Sequence, residues 1–226
     1  MAIVDPDSLA GTLDALNEAL FFGWPLTRTQ RTEAAQWIAG RQGGPRAYTG
    51  MFAPTEADFG QGMRVFTGER IRSGAGTAHV LGEEACRALR LLEVPLAGVR
   101  AALERATAGM QERLEKSGFG ESGRYCCGSC SVAVWRHLAA GGFGGREDWL
   151  QAALGHLRSR RDEAGKWRSV PFWYTLLAVS DTDLPAALDE LRYAAPVCER
   201  HLSRRSNDGQ FAARRRALAE RVLTRC

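Results

Sequence analysis

The chain has 226 residues, of which 45% are hydrophobic and 25% charged, and its formal net charge is +4. This composition is typical of a folded globular protein and argues against disorder. No apolar run reaches the roughly 20 residues that a transmembrane helix needs. The segment Met1–Asp14 contains three aspartates and no Lys or Arg. We therefore expect no secretory signal and predict a cytoplasmic protein with reduced thiols.

The first part of the chain shows helical patterns separated by turn residues. An acidic start at Asp5–Ser8 and apolar residues at helical spacing predict a first helix that ends before Gly23. A second helix follows through Trp37 to Arg41. The Gly-rich stretch 43–76 contains too many apolar residues for a disordered linker. Within it we predict a short helix from Thr55 to about Met63 and then an ordered loop from Gly68 to Thr77.

The rest of the chain shows no strand alternation and is divided by Gly, Pro and acidic residues. One of these breaks is Asn207-Asp208-Gly209. We predict a single all-α domain over residues 1–226, with about nine helices and antiparallel neighbours joined by short loops. The remaining predicted helices are 77–92, 95–116, 127–140, 147–162, 170–180, 184–204 and 210–224.

One pattern occurs twice in the sequence. Segments 34–63 and 149–179 each contain the end of an amphipathic helix, a polar turn with Gly, an aromatic residue, and a Pro before the next helix. A repeated helix–turn–helix unit indicates a fold built by stacking hairpins. We therefore predict that the two segments form equivalent hairpins.

The second copy resembles the helix-end repeat of terpenoid cyclases and protein prenyltransferases. Leu157, Gly165 and Trp167 match the aliphatic helix face and the Gly-x-Trp of that repeat, and Arg161 stands where the family has Gln. The first copy has Gln42 but no Gly-x-Trp. The resemblance implies a partial or compact α/α-toroid of antiparallel helical hairpins with an apolar central cavity. The prenyltransferases also hold zinc near the toroid mouth, but their ligand pattern is not reproduced here.

The cysteines give the most specific local signal. Cys127 and Cys130 are one helical turn apart, and so are Cys198 and His201. Together these four residues supply a complete set of soft ligands for tetrahedral zinc. Two alternatives stay open: the thiols are buried packing residues, or they form a reactive pair. A helix start and the adjacent Arg124 would lower a thiol pKa in the second case.

A second candidate site lies where the Gly-rich loop meets the following helix. Arg70 and Arg72 precede the free N–H groups of the helix start, which is an arrangement suited to an anion. His79 and Glu83 follow at i, i+4 on that helix. The alternative is that a hydroxyl caps the helix and that His79 and Glu83 form a surface pair.

Three further features of the sequence each have two interpretations. Asp181-Thr182-Asp183 is similar to the acidic motif by which some terpenoid cyclases protonate substrate, but helix capping accounts for these residues completely and is the favoured interpretation. Trp167 and Trp173 are predicted to line an aromatic pocket, with core packing as the alternative. The Arg-rich segment 201–226 favours a solvated helix over a nucleic-acid surface.

Three functions remain open from the sequence. The first is a toroid-like domain whose aromatic and Arg-lined pocket takes an apolar or isoprenoid-like molecule, with prenyltransferase-like or cyclase-like chemistry as one option. The second is a helical-repeat interaction module without chemistry. The third is a zinc-dependent or thiol-dependent protein. The predicted partner is an apolar or anionic small molecule, and nucleic acid is not expected.

Overall fold

A computed structural model describes residues 2–60, 62–204 and 209–226. The chain is 66% helical, with a single small two-stranded sheet in its described part, so the all-α class is confirmed. The toroid arrangement stays a prediction. None of the described helices has the length and apolar character needed to cross a membrane. The helices are α1 (Leu9–Phe22), α2 (Arg28–Ala39), α3 (Glu56–Gly60), α4 (Gly74–Leu92), α5 (Ala97–Lys116), α6 (Phe119–Ser122), α7 (Gly128–Ala139), α8 (Arg146–Ser159), α9 (Phe172–Ser180), α10 (Pro185–Leu202) and α11 (Gln210–Arg225).

The observed helix bounds differ from the predicted ones mainly around the Gly-rich stretch. Helix α3 ends at Gly60 instead of Met63, because Met63 begins a strand. Helix α4 begins at Gly74, where the Ser73 hydroxyl accepts the backbone N–H of Gly76 at 3.1 Å. The break predicted at Asn207-Asp208 lies outside the described residues.

The sheet was not predicted, because two-residue strands are too short to show an alternating pattern. Strand β1 (Met63–Arg64) pairs antiparallel with β2 (Arg70–Ile71). The turn between them includes Gly68, whose φ is +92° and where a Cβ atom would lie 2.7 Å from the Phe211 ring. Phe66 in this turn and Ile71 are buried. Phe66 and Ile71 therefore anchor this loop in the core, and glycine is required in the turn.

In each of the two repeated segments, an isolated β-bridge closes the turn. An isolated antiparallel bridge joins Gln42 to Phe52 in the first segment, and another joins Arg161 to Trp167 in the second. The helices that follow differ in length, since α3 is one turn long and α9 more than two. The equivalence of the whole hairpins stays a prediction.

A buried polar cluster holds α4 against α7 and α9. Arg136 on α7 forms an ion pair with Glu84 on α4, and the Tyr174 hydroxyl of α9 donates to the same carboxylate. Burial alone would raise the pKa of Glu84, but the guanidinium groups of Arg136 and Arg87 bring it below its ordinary value. Asp181 accepts from Arg87 at 3.3 Å and from Arg136 at 3.4 Å.

This cluster changes the interpretation of the acidic motif at 181–183. The N-cap of α10 is Leu184, and no side chain in the described part of the chain caps that end of the helix. Asp181 is instead part of the ion-pair cluster, where it also contacts Arg221 at 3.3 Å. Its carboxylate is therefore occupied by guanidinium groups, which fits a structural role better than the capping role that the sequence favoured.

Candidate thiol site

Three thiols lie at the start of α7. Cys127 is the N-cap residue of the helix and is exposed, as is Cys126, whereas Cys130 is fully buried. The Sγ atoms of Cys127 and Cys130 are 3.3 Å apart. The site therefore presents one thiol to solvent and keeps the second immediately beneath it, one helical turn further on.

Close packing around the first turn of α7 positions these thiols. The Ser131 hydroxyl accepts the backbone N–H of Tyr125 at 3.0 Å and donates to the carbonyl oxygen of Cys127 at 2.8 Å. At Gly128 a Cβ atom would lie 2.3 Å from the carbonyl oxygen of Ser169. Glycine is therefore needed between the two cysteines, because the turn after α8 contacts the backbone there.

The two thiols have opposite electrostatic properties. The hydrogen bond from the Cys130 thiol lowers the pKa of Cys127 to about 5 and outweighs the effect of partial burial. The backbone N–H groups of Cys130 and Ser129 and the charge of Arg124 lower it further. The pKa of Cys130 is raised well above its usual range by the same hydrogen bond and by burial. At neutral pH the pair is one thiolate and one thiol.

Glu83 on α4 lies beneath the thiols as an uncharged acid. It is fully buried, and neither of its carboxyl oxygens has a hydrogen-bond partner among the described residues. Burial, together with the negative charges of Cys127, Glu84 and Cys126, raises the pKa of Glu83 well above its ordinary value. The pKa of the neighbouring Glu84 is lowered instead, because Glu84 has guanidinium partners whereas Glu83 has none among the described residues.

His79, one turn before Glu83, completes the cluster. Its ring is buried and contacts the rings of Tyr48 and Tyr125, and its Nδ1 atom has no hydrogen-bond partner among the described residues. Burial and the charge of Arg113 lower the pKa of His79 to about 4, so the imidazole is neutral. The Tyr48 hydroxyl accepts from Tyr125 at 2.7 Å and from Arg113 at 2.9 Å.

A possible metal site is formed by a different set of residues from the one predicted. Ligand atoms of His79, Cys126 and Cys130 all lie within 4.8 Å of one another, and this group could hold a metal ion. A neutral imidazole and two sulfur atoms are suitable donors for such an ion. The sequence did not indicate Cys126 or His79 as metal ligands, because the contact between α4 and α7 that joins them is a tertiary contact.

The predicted four-residue zinc set is therefore corrected. Among the described residues, Cys127, Cys130, Cys198 and His201 do not converge on a common point. Cys198 is buried on α10, where its pKa is raised by burial and by the charge of Cys226. The ring of His201 packs on Trp173 at 4.5 Å between centroids. The spacing within each pair suits two ligands of one zinc ion. The 67 positions between Cys130 and Cys198, however, do not indicate whether the two pairs lie close together in space.

The predicted ligand-binding residues lie in separate places. Arg70 on β2 and Arg72 just before α4 are exposed, and anion binding there stays a prediction. His79 and Glu83 are buried, so the surface-pair alternative is wrong. Trp167 is buried in the core and donates to Glu190 at 2.8 Å. The half-buried Trp173 lines a cavity between α9 and α10.

Comparisons of the chain with family models, with curated proteins and with solved structures find no match. The fold and the site define a mostly helical protein with a Cys-x-x-Cys pair at a helix N-terminus above a buried carboxylic acid. Inference of its function must therefore start from the chemistry of these side chains.

Proposed function

We propose that the protein is a dithiol–disulfide oxidoreductase, with Cys127 as the nucleophile and Cys130 as the resolving thiol. The observation that carries this proposal is the 3.3 Å distance between their Sγ atoms, with Cys127 exposed at the helix N-terminus and Cys130 buried. A helix N-terminus favours a thiolate, and the thiolate is the reactive form of cysteine. This function belongs to the thiol-dependent class that the sequence left open.

The reaction consists of two thiol–disulfide exchanges. The Cys127 thiolate attacks one sulfur of a substrate disulfide, so that a mixed disulfide forms and the other substrate sulfur leaves as a thiolate. Cys130 then loses its proton and attacks the Cys127 sulfur. The second substrate sulfur leaves, and the protein holds a Cys127–Cys130 disulfide. Two electrons pass from the dithiol to the substrate, which becomes two thiols.

Glu83 is the proton-transfer group in this scheme. The first leaving thiolate takes its proton from water. The mixed disulfide removes the negative charge of Cys127 that helps to raise the pKa of Glu83. Glu83 then loses its proton to water, and its carboxylate takes the proton of Cys130 before the second attack. Cys130 needs such a base, because its pKa lies far above neutral pH. Glu83 is buried beneath the thiols, and its carboxyl oxygens have no hydrogen-bond partner among the described residues. This position suits a group that loses and regains a proton within one reaction cycle.

Substitutions of the cysteines test the proposal. After incubation of the reduced protein with glutathione disulfide, mass spectrometry should show an intramolecular disulfide in the wild type. Cys130→Ser should instead retain one glutathione on Cys127, because the resolving thiol is absent. Cys127→Ser should consume glutathione disulfide at least about tenfold more slowly, since an ordinary thiol is only a few per cent thiolate at pH 7.

Cys226→Ser is the control, because that residue is another exposed thiol outside the cluster. The Cys226→Ser variant should form the intramolecular disulfide and consume glutathione disulfide at the wild-type rate. Equal rates for Cys127→Ser and the wild type would contradict the proposal, as would an absence of glutathione from Cys130→Ser.

A second candidate function is zinc binding, supported by the convergence of His79, Cys126 and Cys130. These residues would supply three ligands and leave one tetrahedral position open, which is the pattern of catalytic zinc sites. The two candidates share Cys130 but differ in the other cysteine that they need. Cys126 serves the metal site alone, and Cys127 is the nucleophile of the exchange reaction.

Metal content separates the two candidates. If zinc is bound, protein purified without chelator should contain about one zinc ion per chain, and Cys126→Ser should lose it while Cys127→Ser keeps it. If exchange is the function, Cys126→Ser should keep its activity after chelator treatment. A wild type without zinc would eliminate the metal candidate.

The isoprenoid-pocket and repeat-module functions stay predictions. Trp167 is buried in the core and is not part of the described lining of the cavity that Trp173 lines. The thiol cluster has a defined set of reactive groups, and it therefore supports a chemical function better than either of these alternatives does.

A further inference from the structure

A cavity of about 300 Å³ lies between the turn after α8, the first turn of α9 and the C-terminal end of α10, and its described lining shares no residue with the thiol cluster. This volume is at the lower end of the range for small-molecule sites. Its walls combine positive charge with aromatic rings. The side chains that define it are Lys166, Phe172, Trp173, Arg200, His201 and Arg204.

The described lining of this cavity carries only positive charge. No acidic residue belongs to its described lining, and within the described parts of the chain neither the Lys166 ammonium nor the Arg204 guanidinium has a carboxylate partner. Three cations placed together repel one another when, as among the described residues, no carboxylate pairs with Lys166 or Arg204. A bound anion would remove this repulsion.

The aromatic wall adds a second kind of recognition. Trp173 is half-buried, and its ring contacts His201 at 4.5 Å and Phe172 at 5.1 Å between centroids. These contacts hold the indole in place at the edge of the cavity. Arg200 is also held, because its Nη2 atom donates to the carbonyl oxygen of Ala164 at 3.0 Å. A planar ring can stack on such a platform while an attached anion reaches the cations.

We infer that this cavity binds a nucleotide, with the base on the Trp173 side and the phosphates between Lys166, Arg200 and Arg204. A free inorganic anion would use the cations alone and leave the aromatic wall without a role. A nucleic acid would need a groove that tracks several phosphates, and this cavity is a compact depression. The inference is independent of the chemistry proposed for the thiol site.

The test is a calorimetric titration of the full chain with ATP, adenosine and inorganic phosphate. ATP should bind at least about tenfold more tightly than either fragment, because only ATP engages both walls. Lys166→Glu and Arg204→Glu should each weaken ATP binding at least about tenfold, since each replaces an attraction with a repulsion. Trp173→Ala should weaken ATP and adenosine binding and leave phosphate binding unchanged.

Lys116→Glu is the matched control. Lys116 is the other lysine of the chain, it is exposed, and it forms an ion pair with Glu112 on α5 away from the cavity. The same charge change there should leave ATP binding unaltered. The inference is overturned if Lys116→Glu and Lys166→Glu weaken ATP binding equally, if phosphate binds as tightly as ATP, or if ATP fails to bind while a single-stranded oligonucleotide does.

Discussion

Alkylation of Cys127 by iodoacetamide is expected to reach half of its maximal rate near pH 5, far below the ordinary thiol value of 9.0. Only the thiolate reacts, so the rate follows the fraction of ionised sulfur. The Cys130 thiol and the backbone N–H groups of the first turn of α7 stabilise that ion. Peptide mass spectrometry of the metal-free protein, quenched at a series of pH values, gives the midpoint for each cysteine separately.

Cys226 is the internal reference for this measurement. It is also exposed, but burial of part of its side chain raises its pKa, so its alkylation should increase only at alkaline pH. The two midpoints should therefore be separated by several pH units within one sample. A common alkaline midpoint for Cys127 and Cys226 would show that the first turn of α7 does not stabilise a thiolate.

A Glu83→Gln variant separates proton transfer from thiolate formation. Glu83 is uncharged at neutral pH, so the amide should leave the Cys127 midpoint unchanged. The overall exchange with a disulfide should slow by about a hundredfold, which is the usual contribution of a positioned proton-transfer group. Glu121→Gln on the exposed surface is the control and should change neither property.

Removal of Arg136 is expected to cause a large loss of stability. Arg136→Met should lower the free energy of unfolding by about 3–5 kcal/mol, because the buried Glu84 carboxylate loses its closest cation. The side chains of Arg136 and Glu84 are 3% and 6% exposed, so water cannot replace the lost partner. Urea unfolding followed by circular dichroism measures this change.

A double variant and an exposed control show whether the effect comes from an unpaired charge. Arg136→Met combined with Glu84→Leu should recover much of the lost stability, since no buried charge is then left without a partner. Lys116→Met breaks an exposed pair and should change the unfolding midpoint very little. If the double variant is less stable than Arg136→Met alone, packing and not charge is the main contribution of Arg136.

The stability effect of Arg136 and the chemistry of the thiol site are connected through the backbone of α4. Glu83 and Glu84 are consecutive, and the ion pair of Glu84 with Arg136 holds α4 against α7. That contact places Glu83 beneath the thiols at the start of α7. A loss of Arg136 should therefore disturb the thiol site as well as the stability of the fold.

Much of the fold could be predicted from local pattern. Apolar residues at helical spacing, with Gly and Pro at the ends, indicated most of the helices, because helix formation depends on nearby residues. The same reasoning identified the Cys127–Cys130 spacing and the shared helical face of His79 and Glu83. It missed the sheet at Met63 and Ile71, where two residues on each strand are too few to form a pattern.

The assembly of the site was decided by the tertiary structure alone. Spacing could not show that Cys126 approaches His79, that Cys198 and His201 lie elsewhere, or that Trp167 is closed within the core. It also could not distinguish Glu83 from Glu84, which are identical side chains one position apart. Their different pKa values come from burial and from the guanidinium groups brought by other helices, and both depend on long-range packing that the local sequence does not encode.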